Sequence, residues 1–110
     1  MARAQVKLPL REEPAEKRAE TRALLEESPE EGSRLISGAA FVADLLWEDW
    51  GDTLEPAGMD HDRFMEISRG YADEIRLWVV GERPWDHCAA GLAGRALRRL
   101  PAREAIQAEV

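Results

Sequence analysis

The chain has 110 residues and sets 22 acids against 15 bases, a formal net charge of −7, which argues against a surface built as a whole to meet nucleic acid or anionic lipid. A lone cysteine excludes an internal disulfide framework and any Cys-rich zinc site, and fits a reducing compartment. Residues 1–10 lack the apolar run of a secretory signal, and no stretch approaches the ~18 apolar residues of a membrane span, so a cytoplasmic protein is expected.

Residues 1–32 are dominated by Arg, Lys, Glu and Ala, with Val6, Leu8, Leu10, Leu24 and Leu25 as the larger aliphatic residues. Alone, such a segment buries too little apolar area to offset its ordering entropy. A weak helix is expected within 14–28, with Pro14 in its first turn and Glu13–Lys17 and Arg22–Glu26 as i,i+4 pairs. It should fray unless Leu24 and Leu25 find a groove. Outside that segment about 80 residues remain for a core, which must lean on Trp47, Trp50, Trp78, Trp85, Phe41, Phe64 and Tyr71.

Ser28-Pro29-Glu30-Glu31 is a helix-start signal, with Ser28 as N-cap, Pro29 at N1 and Glu31 placed to complete a capping box. Because Gly32 weakens that start, Ser33 is the alternative. Apolar residues at 35, 39, 42, 46 and 50 then repeat at helical spacing, widened by Ile36, Ala43 and Trp47, so a helix is expected over 33–50, stopping at Gly51. Phe41 and Leu45 fall on its other side with Gly38 above them, where a surface helix should be polar. Either other segments sandwich this helix, or the strip meets a partner.

Residues 51–59 read as a loop, and Asp60 as the N-cap of a helix over 60–80. Phe64, Ile67, Tyr71, Ile75 and Trp78 lie within about 80° of arc on that helix, and Leu77 lies off the stripe. Gly81 should close it in the left-handed conformation. Pro84 suits N1 of a last helix over 84–100, with Asp86 in its first turn and Trp85, Cys88, Ala89, Leu92, Ala96 and Leu100 on one face. Only Gly81-Glu82-Arg83 separates the last two helices, so they must be neighbours.

Asp86-His87-Cys88 holds an acid, an imidazole and a thiol in a row, the raw materials of a nucleophilic site. Consecutive helical residues diverge by about 100°, so the three cannot hydrogen-bond as a catalytic set, and Cys88 reads as a buried structural thiol. Around His61, Asp60, Asp62 and Glu66 offer oxygen ligands, but their spacing matches no EF-hand loop, and first-turn acids already have a reason in capping and the helix dipole. His87, Gly91, Gly94 and Arg98 share an outer face of the last helix. Two mid-helix glycines cost about 1 kcal/mol each relative to alanine, so close approach by another backbone is expected there, with a small ligand as the lesser reading. Arg95, Arg98, Arg99 and Arg103 could be a nucleic-acid footprint, although they point to several sides of the helix.

Together these features predict an all-α fold, a small three- to four-helix bundle with a charged, partly flexible N-terminal segment. Residues 1–32 form that segment, 33–101 the helical core and 102–110 a C-terminal tail. The expected function is non-enzymatic: a cytoplasmic interaction or regulatory module that meets a protein partner or a second copy of itself. Its candidate interface is Phe41, Leu45, Leu77, His87, Gly91, Gly94 and Arg98. No catalytic, cofactor-binding or metal-ligating residue is assigned, and no cofactor. The alternatives are a DNA-binding regulator using residues 95–103 and, less favoured, a metal- or small-ligand-binding protein in which His61 or His87 meets acids from other helices.

Overall fold

A computed structural model describes residues 7–101; residues 1–6 and the expected tail at 102–110, with Arg103, lie outside the described residues. Among the described residues the fold is all-α, with no strand: α1 (Ala15–Glu27), α2 (Pro29–Gly38), α3 (Ala40–Leu54), α4 (His61–Arg69), α5 (Ala72–Val79) and α6 (Trp85–Arg98). None of these helices is long and apolar enough to cross a membrane.

The weak helix expected within 14–28 is α1, and it folds back on α2 through the single residue Ser28. Gly32 makes this possible. A Cβ there would stand 2.7 Å from Leu25 Cα, so a hydrogen at that position lets the two backbones meet, and Leu25 reaches the core. Pro29 does open α2, whereas the Ser28 side chain makes no capping bond.

The helix expected over 33–50 is two helices. Ala39 takes a left-handed conformation, φ 56°, and its N–H donates to the carbonyls of Leu35 and Ile36. It thereby ends α2 and starts α3. Ile36 turns inward and Leu35 is left exposed, so the expected stripe loses position 35 but keeps Ala39, Val42, Leu46 and Trp50, all buried. Nor does α3 stop at Gly51: it runs to Leu54, burying Leu46, Trp50 and Leu54 on its continued stripe, and closes at Gly58, φ 109°. There Met59 N–H reaches Leu54 O and Gly58 N–H reaches Glu55 O. The apolar Leu54 kept the period going past the glycine.

The helix expected over 60–80 is also two. Asp60 caps it as expected, its carboxylate accepting from Arg63 N–H at 2.8 Å. Ser68 Oγ donates back to Phe64 O at 2.9 Å, a bond that bends helices, and at Gly70 and Tyr71 the α4 ladder gives way before α5 begins. The stripe survives the break: Phe64, Ile67, Tyr71, Ile75 and Trp78 are all buried. Gly81, φ 91°, closes α5 as expected, with Glu82 N–H on Leu77 O and Gly81 N–H on Trp78 O, the paired bonds of a Schellman motif. α6 begins at Trp85, with Pro84 just outside it in an extended conformation.

One buried cluster draws on α2 to α6, with Trp50, Trp78 and Phe64 as its largest fully enclosed side chains and Trp85 against Trp78 at 4.8 Å between rings. The segment before α1 lies on this cluster. Leu8 packs against it, and three buried indoles donate to residues just after Leu8: Trp50 to Pro9 O at 2.6 Å, Trp85 to Arg11 O at 2.8 Å, and Trp78 to a Glu13 carboxylate oxygen at 2.9 Å.

Candidate functional site

The chemistry-bearing side chains gather where α5 meets α6. Glu74 on α5 faces Arg83 in the turn and His87 on α6, its Oε1 at 3.7 Å from Arg83 Nε and 3.8 Å from His87 Nε2. That oxygen is buried and accepts no hydrogen bond, so the Arg83 guanidinium offsets its charge without a direct bond. One helical turn before Glu74, Tyr71 slides its hydroxyl over Gly91, where any Cβ would collide with it, and the Arg95 guanidinium lies over the Tyr71 ring at 5.1 Å from the centroid. Burial raises the Tyr71 phenol above its ordinary value, helped by the neighbouring Cys88 and Glu74 and opposed by Arg95 and Arg83.

Cys88 turns inward from the same helix and is buried. Burial first, and the Glu74 charge second, push its thiol up to about 12. A thiol held protonated through neutral pH is a poor nucleophile. His87 points outward and pairs with Glu74, so the consecutive Asp86, His87 and Cys88 fan apart as helical geometry demands.

Each histidine does meet an acid from another helix. His61 Nε2 stands 3.3 Å from Asp44 Oδ1 on α3, with Trp47 packed edge-on at 5.5 Å. Neither pair gains a third ligand: no group of three or more His, Cys, Asp or Glu side chains suited to a metal occurs among the described residues. Around His61, Asp60 is engaged as a cap and Glu66 pairs with Arg63 at 3.1 Å.

The candidate interface residues are spread over three helices. Phe41 is half-buried and packed on the core. Leu45 is half-buried, and its carbonyl accepts from Arg11 at 3.1 Å, which brings the N-terminal segment onto that side of α3. Half-buried Leu77 lies near the end of α5, its carbonyl taken by Glu82 and Arg83 N–H groups. On α6, His87 and Arg98 are exposed, and the two glycines differ. The space over Gly91 belongs to Tyr71 of the same chain, a side chain rather than the backbone expected from composition, whereas Gly94 faces only the Arg98 guanidinium at 3.4 Å from a built Cβ.

Sequence alone did not reveal two features. Glu74 is hidden there because a charged residue one turn from a stripe reads as solvated surface. The acceptors at 9, 11 and 13 are hidden in a segment whose composition favours helix, and two of the three are main-chain carbonyls, which no residue type announces. No family model matches the chain, and comparisons with curated proteins and with solved structures return no match.

Proposed function

We propose that the chain is a non-enzymatic helical interaction or regulatory module of the cytoplasm that associates with a second copy of itself. In this reading α2 with α3 and α4 with α5 are two bent helices, which with α1 and α6 make a four-helix bundle. The observation that carries it is on α2. Leu35 is 37% exposed, and one turn along, the position of a Gly38 Cβ has no atom within 4 Å. Half-buried Phe41 and Leu45 follow on α3. A large aliphatic side chain beside an empty glycine face favours coverage by another surface.

The test is mass in solution by sedimentation over a range of concentrations. The wild type should populate a dimer that Leu35→Glu and Phe41→Glu both weaken at least tenfold. Leu35→Glu is the cleaner variant, since Phe41 also packs on the core. A wild-type monomer at millimolar concentration would overturn the reading.

A second reading, a DNA-binding regulator, is favoured by exposed Arg98 and Arg99 at the end of α6, which make no ion pair among the described residues. It predicts duplex binding that weakens steeply with salt and loses about one unit of salt slope on each of Arg98→Ala and Arg99→Ala. An electrophoretic or anisotropy titration at low salt decides it, since no binding there removes this reading.

A further inference from the structure

The segment from Leu8 to Glu13 is held as a ligand is held. Residues 9, 11 and 13 each give an acceptor to an indole N–H: the Pro9 carbonyl takes Trp50, the Arg11 carbonyl takes Trp85 and the Glu13 carboxylate takes Trp78. Between them, Arg11 donates to Leu45 O at 3.1 Å and pairs with Asp49 at 3.4 Å. Arg11 is half-buried, whereas Pro9, Leu10, Glu12 and Glu13 keep exposed surface. Main-chain acceptors supply adhesion, while one arginine and one glutamate supply the reading, the division of labour by which extended peptides are recognised. The peptide then ends in a turn. Pro14, at φ −79° and ψ 75°, sits at the centre of an inverse γ-turn closed by Ala15 N–H on Glu13 O at 2.8 Å.

We propose that the tryptophan groove is a peptide-binding site for segments of the pattern Arg-x-Glu, filled in cis by residues 9–13, and that a second copy's residues 9–13 fill it in trans. The second copy is the occupant because it carries the one segment shown to fit, and the contacts made in trans are those made in cis. Exchange is opposed by tethering, since a short linker holds its own peptide at an effective concentration of about millimolar, and by the Glu13–Arg18 pair at 3.9 Å, which ties the segment to its own α1. It is a low-cost route to a two-fold dimer. It rests on the reading of the chain as self-associating and names a means distinct from the Leu35 face.

The test uses the full-length Arg11→Ala/Glu13→Ala variant, which loses the side-chain contacts of both residues but keeps the groove. Its indole N–H resonances are followed as a synthetic peptide of residues 7–14 is added. The peptide is expected to bind and to return the Trp50, Trp78 and Trp85 signals to their wild-type positions, leaving Trp47 unmoved. The variant should also lose the wild-type dimer at least tenfold, whereas adding Leu35→Glu to it should leave its affinity for the peptide unchanged.

Failure of the peptide to bind the folded variant would overturn the groove, and a dimer that survives in the variant would overturn exchange while sparing the Leu35 face. Should the variant fail to fold, hydrogen exchange on the wild type decides. The three indole N–H groups must exchange together and faster than core amides such as those of Leu46 and Ile75; exchange only on global unfolding would refute release of the segment.

Discussion

Cys88 shows how position converts a reactive group into a structural one. Its thiol is buried on the inner face of α6 and held up to about 12 by burial and then by Glu74, whereas the unfolded chain's thiol titrates near 8.5. Between those values the unfolded state has lost a proton that the folded state keeps, so stability is whole below about pH 8.5 and falls as pH rises toward 12. Urea midpoints compared at pH 7 and pH 10 should therefore drop for the wild type and drop less for Cys88→Ala. Tyr71, whose phenol is also raised, contributes a decline of the same sign and keeps the Cys88→Ala limb from being flat. Equal losses in the two proteins would mean that the thiol is not held protonated. The same burial protects Cys88 from iodoacetamide until the chain unfolds.

At the scale of elements, the decisive residue is Ala39. A non-glycine residue in the left-handed region costs about 1–2 kcal/mol, tolerated here because its N–H closes α2 and its methyl is fully enclosed. Ala39→Gly removes that strain but loses the buried methyl, worth about 0.8 kcal/mol, so its stability should lie within about 1 kcal/mol of wild type. Ala39→Val adds branching at positive φ and volume where there is no room, and should cost about 3 kcal/mol or more. Urea unfolding checks both, and a large loss for Ala39→Gly would contradict the strain argument. The same residue explains what sequence could and could not reveal. Apolar period announced helices around 33–50, 60–80 and 84–100 and picked the inner faces of α4, α5 and α6 almost whole, because burial demands that spacing whether or not the helix is continuous. It could not announce the breaks. Alanine is a good helix former, and nothing in its residue type announces the left-handed turn by which it ends α2 and starts α3. Nor could composition reveal that Glu13 and Arg11 lie on tryptophans, since those partners are 74 and 65 positions away for the pairs Arg11–Trp85 and Glu13–Trp78. Among the candidate site residues, His87 was legible as outward-facing, while its partner Glu74 was not.

For the molecule as a whole, these contacts divide stability unevenly. α1 buries Thr21 as its one enclosed residue, and the segment before it is fixed chiefly by polar bonds: the three indoles, Arg11 on Leu45 O and, from α1 itself, Arg18 on Trp78 O at 2.8 Å. A unit with few buried apolar contacts opens at lower free energy than the core that carries it. Trypsin has sites at Arg11, Lys17, Arg18 and Arg22 in this unit and at Arg63, Arg69, Arg76 and Arg95 in the core helices. In dilute urea the first cuts should fall in the N-terminal set, with a shallower urea dependence than cuts in the second, because less surface is exposed to make them. Each early cut should carry a red shift of tryptophan emission, since Trp50, Trp78 and Trp85 lose cover and acceptor together. Peptide mapping by mass spectrometry alongside fluorescence distinguishes this from its opposite: if both sets are cleaved at one rate and with one urea slope, the N-terminal unit and the core open as a single body. In that case the segment leaves the tryptophans only when the whole fold is lost, and the groove is never free for a second chain.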